Sequence, residues 1–262
     1  MKRHTFTILA YRQSPYLEEC IQTLLAQDQT NSQIIMATST PSEWLSEVAA
    51  KYHIPIHVRN GISSIADDWN FALKVSDTDL VTLIHQDDLY HSAYSEKILQ
   101  AENQYPDALI LFTNFALLID EKRVEQTVNL TIQRLLLTPF LMKQSIHSRR
   151  IRRLTLSLGN PVCCPSVTYN LKNIGDFSFN SLFPNNLDWE AWIRLSRQAG
   201  SFVYLREILM THRFHADSET SASLGDNRRQ NDDRRIFDLL WPKPFAAIVA
   251  GLYALAYRSK HE

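Results

Sequence analysis

Glycine is scarce in this chain: six residues in 262, at positions 61, 159, 175, 200, 225 and 251. None falls in a G-x-G-x-x-G or Walker arrangement, which excludes a phosphate cradle of glycine-rich backbone. Any bound phosphate must therefore be held by side chains or a metal. Cysteine is scarcer still. Cys20, Cys163 and Cys164 cannot build a disulfide framework, and adjacent cysteines rarely bridge, so a reducing compartment fits. Neither sign of charge is in surplus: 27 Lys plus Arg against 28 Asp plus Glu leaves −1. That balance argues against a whole-protein nucleic-acid binder, because neutralising phosphates needs excess cations. No apolar run reaches the roughly 18 residues of a membrane span; the nearest covers 245–257. The basic start Met1-Lys2-Arg3-His4 leads into an apolar stretch that breaks at Tyr11-Arg12-Gln13, too short for a secretory signal. What is present is 45% hydrophobic and 10% aromatic residues, which excludes disorder and suffices for a core without staples.

Through residue 115 the pattern alternates strand and helix. Thr5 to Ala10 reads as a buried strand, and Ser14-Pro15 as the cap and first turn of a helix carrying Leu17, Cys20, Ile21 and Leu24. Residues 33–37 read as a second strand, and Thr40-Pro41-Ser42-Glu43 as a capping box with proline at its first helical position. A short strand at 54–58 carries Pro55 at its start or on a sheet edge. A helix over 65–75 precedes the apolar run 80–84, a central strand that feeds directly into His85-Gln86-Asp87-Asp88. A helix over 91–104 and a strand over 108–112 follow. This alternation predicts an α/β fold with right-handed crossovers, a mostly parallel sheet, and ligands beyond the carboxyl ends of its strands.

Between 120 and 160 the pattern changes. Residues 130–147 are apolar and read as helical, and Lys143, Arg149, Arg150, Arg152 and Arg153 follow with no acid between 143 and 153. Residues 166–169 read as a strand returning to the sheet, 188–198 as a helix, and 201–205 with 208–211 as a β pair. Residues 227–262 read as an amphipathic helical tail broken by Pro242 and Pro244. No repeat, low-complexity run or linker interrupts the chain, so a single domain with a tail is expected.

Four constellations carry chemistry. Asp87-Asp88, at the end of an apolar strand, serves equally as a helix cap or as hard oxygen ligands for Mg²⁺ or Mn²⁺. Asp188-Trp189-Glu190 opens an amphipathic helix, where an acid favours the dipole; as a general base it would take a proton from an acceptor hydroxyl. In His212-Arg213-Phe214-His215, strand alternation puts Arg213 and His215 on one face, offering a guanidinium fork and a metal-ligating imidazole. In Asp67-Asp68-Trp69-Asn70, Asp67 reads as a solvated helix start, while Asn70 can point into the cleft.

Taken in order, these pieces resemble a family-2 glycosyltransferase of the inverting GT-A type, over about residues 4–222. The opening strand and its Tyr-containing turn match Leu9-Ala10-Tyr11, and the helix that follows matches Tyr16-Leu17-Glu18-Glu19-Cys20-Ile21. The D-x-D motif falls on His85-Gln86-Asp87, followed by Asp88, the acceptor-side "E-D" on Leu187-Asp188, and the late Tyr-Arg-x-His on His212 to His215. The resemblance implies a GT-A, Rossmann-like sheet flanked by helices. It implies a nucleotide-sugar half over about 1–115, an acceptor half over about 116–222 and a helical tail over 223–262. It implies Mn²⁺ or Mg²⁺ held by Asp87 and Asp88 with His215, and Asp188 as the catalytic base. It places Tyr11, Thr38, Asn70, His85, Trp189 and Arg213 among the substrate-binding residues. The implied partners are a nucleotide-diphosphate sugar donor and a glycan or lipid-linked glycan acceptor, with no nucleic acid. The implied setting is bacterial surface-polysaccharide assembly in the cytoplasm, peripheral to the inner face of the membrane. An anionic lipid surface for the basic stretch and the tail, and a homo-oligomer, are further candidate partners.

The sequence departs from the family in three places. Thr38-Ser39 replaces the acid that reads the nucleobase, which leaves the base open. His85 replaces the first acid of D-x-D. Leu187 replaces the Glu of "E-D" and leaves Asp188 as the base candidate there. These departures favour, as the alternative, a GT-A-fold protein that binds a nucleotide sugar without turnover. A nucleotidyltransferase ranks third, because Tyr11 to Pro15 lacks the glycines of its basic loop.

Overall fold

A computed structural model of the chain describes residues 2–28, 31–215 and 227–258. The first half alternates as expected: β1 (His4–Ala10), α1 (Leu17–Leu25), β2 (Ser32–Thr38), α2 (Glu43–Lys51), β3 (Ile56–Val58), α3 (Ile65–Lys74) and β4 (Leu80–His85). Then come β5 (Leu89–Tyr90), α4 (Tyr94–Gln104), β6 (Ala108–Ile119) and β7 (Lys122–Val124). The second half holds α5 (Val128–Leu136), α6 (Pro139–Met142), β8 (Ser145–Ile146), α7 (Arg149–Thr155), β9 (Val167–Asn170), α8 (Leu171–Ile174), α9 (Leu187–Leu195) and β10 (Ser201–Phe214). Two helices follow, α10 (Asn227–Leu240) and α11 (Lys243–Arg258).

The strands form one sheet in the order β3-β2-β1-β4-β9-β6-β10-β5. β3, β2, β1 and β4 are mutually parallel; β6 pairs parallel with β10; β9 runs antiparallel between β4 and β6. One open, mostly parallel α/β sheet results, with apolar clusters on its two faces. One packs against α1, α2 and α4, the other against α3, α9 and the two C-terminal helices. Trp189, Trp192, Ile236 and Phe237 are fully buried in the second cluster.

A line of polar side chains crosses four neighbouring strands inside this apolar body. Ser32 Oγ meets His4 Nδ1 at 2.9 Å, His4 Nε2 meets Thr82 Oγ1 at 2.8 Å, and Thr82 Oγ1 meets Thr168 Oγ1 at 2.6 Å. The Tyr94 hydroxyl closes the chain at 3.2 Å. Each group is satisfied by the next strand only in one register, because a slip by one residue turns every side chain to the other face.

Local chemistry moves several expected boundaries. Ser42, not Thr40, caps α2, accepting from Leu45 N, while Thr40 Oγ1 accepts from Arg12 N. α1 starts at Leu17, past Pro15, without a side-chain cap. The apolar stretch 130–147 is two helices and a short strand, parted near Pro139, whose missing N–H suits a helix start. The expected β pair at 201–211 is one strand, β10, with register shifts between Leu205 and Ile208 and between Ile208 and Met210 against β6. The irregularity breaks the period-2 pattern and mimics a turn in sequence.

Candidate active site

The site begins where parallel strands end side by side. β1, β2 and β4 finish at Ala10, Thr38 and His85 in matched register. Beyond β4, the Gln86 side chain accepts from Tyr11 N and donates to Tyr11 O, both at 3.0 Å, tying the loop after β1 to the turn after β4. The chain then enters β5, which pairs antiparallel with Met210 and Thr211 of β10. That pairing carries the acids of the turn against the last residues of β10.

The two adjacent acids end in different surroundings. Asp88 is fully buried, and its Oδ1 accepts from His212 Nδ1 at 2.8 Å and from Arg213 N at 3.0 Å. Burial alone would push the His212 imidazole down. The charge and hydrogen bond of Asp88, with Asp87 behind it, outweigh burial and hold His212 up at about 9, so it is protonated at neutral pH. Asp87 is reached from the other side, where His215 Nε2 lies 2.8 Å from its Oδ2. Arg213 runs between them and is buried. It donates from Nε to the Asp87 carbonyl at 3.1 Å, from Nη1 to Glu121 at 2.5 Å, and from Nη2 to Glu19. Its guanidinium lies 4.4 Å from the centre of the Tyr16 ring, which also packs beside His215. Glu121 is presented by the tight turn between β6 and β7, where Asp120 and Glu121 both adopt left-handed φ, 48° and 58°.

His85, Asp87 and Asp88 each offer a ligand atom within 4.8 Å of one another. Within that group, Asp88 Oδ2 and His85 Nε2 are buried and find no hydrogen-bond partner. Buried polar atoms are rarely left so, because the lost hydration is not returned. A mixed carboxylate and imidazole set suits a hard or borderline divalent cation, so these residues fit a bound ion.

On the far side stands Asp188, half-buried in the first turn of α9. Its Oδ1 accepts from Trp189 N and its Oδ2 from Asn160 Nδ2, both at 2.7 Å. Asn160 in turn receives Gln133 on its carbonyl. The segment 160–166 passes between the two groups of acids: burial first, then the charges of Asp88 and Asp188, push the Cys163 thiol well up.

The comparisons with known proteins bear on the family and the fold. The sequence profile of Glycosyl transferase family 2 matches residues 5–174. The chain belongs to that family. Among solved structures, this glycosyltransferase superposes on S. aureus TarS 1-349 in complex with UDP-GlcNAc with a TM-score of 0.65 at 15% identity, covering 95% of this chain and 70% of that one. It also matches the mannosyltransferase PcManGT from Pyrobaculum calidifontis, in complex with GDP-Man and Mn²⁺, with a TM-score of 0.61 at 12% identity, over 96% of this chain and 69% of that one. At such identities the likeness concerns the fold. No curated protein matches the sequence.

Within this family 2 glycosyltransferase, the residues singled out in the sequence divide. Tyr11, His85, Asp87, Asp88, Arg213 and His215 gather around the ends of β1, β4 and β10. Four of the singled-out side chains are engaged within the protein. Trp189 is 1% exposed, donates Nε1 to the Leu156 carbonyl and packs on Phe237, so it is core. Thr38 is buried and its hydroxyl accepts from Thr40 N, shaping the turn after β2. Asn70 uses both ends of its amide on the Phe179 backbone, clamping that loop instead of facing a ligand. Arg213 meets two carboxylates and a carbonyl, so its guanidinium is paired within the protein. His212, Tyr16 and Glu19 lie inside the quoted motifs, but the sequence assigns them no role there. Glu121 and Asn160 act across 92 and 28 residues of sequence, and no local spacing marks them.

Proposed function

We propose that this chain transfers a sugar, with inversion, from a nucleoside-diphosphate donor to a hydroxyl acceptor. The observation that carries the reading is the carboxylate of Asp188, oriented by Asn160 and the Trp189 N–H, whose charge reaches the Cys163 thiol together with that of Asp88. Asp87, Asp88 through its Oδ2, and His85, with His215 beside them, would hold Mn²⁺ or Mg²⁺, which when bound supplies positive charge to the departing diphosphate. The acceptor O–H bond breaks and its proton passes to Asp188. The freed electron pair forms the new bond to the anomeric carbon from the face opposite the leaving group. The old carbon–oxygen bond breaks, and its electrons leave with the diphosphate. Asn160 and the Trp189 N–H keep the carboxylate aimed, so less orientational freedom has to be lost at the moment of transfer. The nearby Arg213 stays neutralised by Glu19 and Glu121 and acts as a brace between α1, the 85–88 turn and the β6–β7 turn. A glycan or lipid-linked glycan acceptor, in bacterial surface-polysaccharide assembly on the cytoplasmic side, belongs to this proposal.

A thermal-shift screen of nucleoside diphosphates with and without Mn²⁺ identifies the donor class. With the matching donor, Asp188→Asn should lower turnover by about 100-fold or more while the melting temperature and donor-induced shift stay as in the parent. Near-parental turnover would remove Asp188 as the base. A donor-induced shift in a parent chain with neither transfer nor hydrolysis would favour a binding protein without turnover, the reading that His85 in place of an acid supports.

A further inference from the structure

Charge and apolarity are segregated in this chain in a way the transfer reaction does not use. The stretches 126–175 and 239–261 contain no Asp or Glu, yet carry seven and three Lys or Arg respectively, in a protein of net charge −1. The fold brings these stretches together. Arg153 Nη2 donates to the carbonyls of Leu239 and Leu240 at 2.9 and 2.7 Å, closing the C-terminus of α10. Trp241 Nε1 donates to the Ser157 carbonyl at 2.7 Å, and Tyr253 of α11 approaches Gly159. So the segment 149–159 packs beside the end of α10 and α11, and α7 and α11 each show solvent the same sequence of groups. On α7 exposed Arg150 is followed by Leu154, and Leu158 lies just beyond. On α11 exposed Lys243 is followed by Phe245, Ile248 and Leu252, spaced along one face. All five of these apolar side chains are more than half exposed. Residues 244–257 carry no charge at all, a length too short to span a bilayer but suited to lying in its interface.

We propose that the α7–α11 face docks on an anionic lipid bilayer. Arg150 and Lys243 meet headgroup phosphates, while Leu154, Leu158, Phe245, Ile248 and Leu252 enter the headgroup–acyl boundary. Positive rim and apolar centre are the complement of such a surface, and no acid in either stretch opposes it. Arg152 and Arg153 are not part of the rim. Arg152 is buried against Phe202 and donates to the Gln198 carbonyl, and Arg153 is taken up by the end of α10. Leu158 is two residues from Asn160, which holds Asp188, so docking brings the acid of the candidate site to the lipid surface.

The test is flotation of the full chain with phosphatidylcholine vesicles containing roughly one-third phosphatidylglycerol, at low and high salt. No donor or metal is needed, so this result and the outcome of the transfer assay are independent. Binding is expected at low salt, falling at high salt and on pure phosphatidylcholine. Arg150→Glu with Lys243→Glu should cut partition about tenfold or more, as should Ile248→Glu with Leu252→Glu, with unchanged melting because all four side chains are exposed. Absence of binding at low salt overturns the proposal, as does binding that ignores both double variants. A dimer that dissociates in Ile248→Glu with Leu252→Glu, in a chain that ignores vesicles, also overturns it and assigns the face to a second copy.

Discussion

Asp87 and Asp88 are chemically identical neighbours that the fold separates by one solvent boundary. Asp88 has no access to water and satisfies the imidazolium of His212 and the N–H of Arg213. Asp88→Ala leaves both unpaired, and a loss of about 3 kcal/mol in a urea unfolding experiment is expected. Asp87 keeps part of its surface in solvent and meets one imidazole, so Asp87→Ala should change stability by about 1 kcal/mol or less. The same variant should remove the Mn²⁺-dependent part of any nucleoside-diphosphate thermal shift. Equal destabilisation by the two, with the Mn²⁺ response kept by Asp87→Ala, would reverse the assignment. Sequence reading placed both acids at a strand end correctly. It had no means to tell them apart, because their difference comes from β10, more than a hundred residues away.

Elements were legible where one local rule governed them and misread where a distant partner did. The apolar run of β4 declared a central strand, since a strand covered on both faces has no polar side to show. β10 was divided in two because Arg206 and Glu207 are exposed at its register shifts, which a window of sequence cannot distinguish from a turn. Its start depends on Gly200, with φ +114°. A Cβ there would lie 2.7 Å from the Asp107 carbonyl and 3.0 Å from Leu109. Gly200→Ala combines a disfavoured conformation with a backbone clash, and a cost of roughly 2 kcal/mol or more is expected from the shift in unfolding midpoint. A loss below the few tenths typical of surface changes would mean the turn relaxes freely.

Across the whole molecule, the buried polar line through His4 couples stability to pH. Burial holds His4 down at about 3 against a usual 6.5. Below 6.5 the unfolded chain binds a proton that the folded chain refuses. The stability gained from keeping His4 neutral is therefore complete above about pH 6.5 and declines as pH falls toward 3, by about 1.4 kcal/mol per unit. Urea midpoints of the parent and of His4→Gln, compared between neutral pH and about pH 4.5, should show a shallower decline in the variant. Parallel declines would show that His4 is not the group refusing the proton.

Several features were determined by the sequence without help: the alternation of strand and helix to residue 115, the carboxyl-end position of the 85–88 turn, and the exclusion of glycine-cradled phosphate. Each follows from side-chain periodicity or from a missing residue type, both local properties of a chain. The tertiary structure alone decided that Asp88 is a buried anchor while Asp87 keeps part of its surface in solvent, that Arg213 is consumed by two carboxylates, that Trp189 is core, and that Arg152 and Arg153 turn inward while Arg150 does not. Those outcomes depend on burial and on partners far apart in sequence. A charge behaves differently once water has left it, and spacing along a chain carries no record of where water remains.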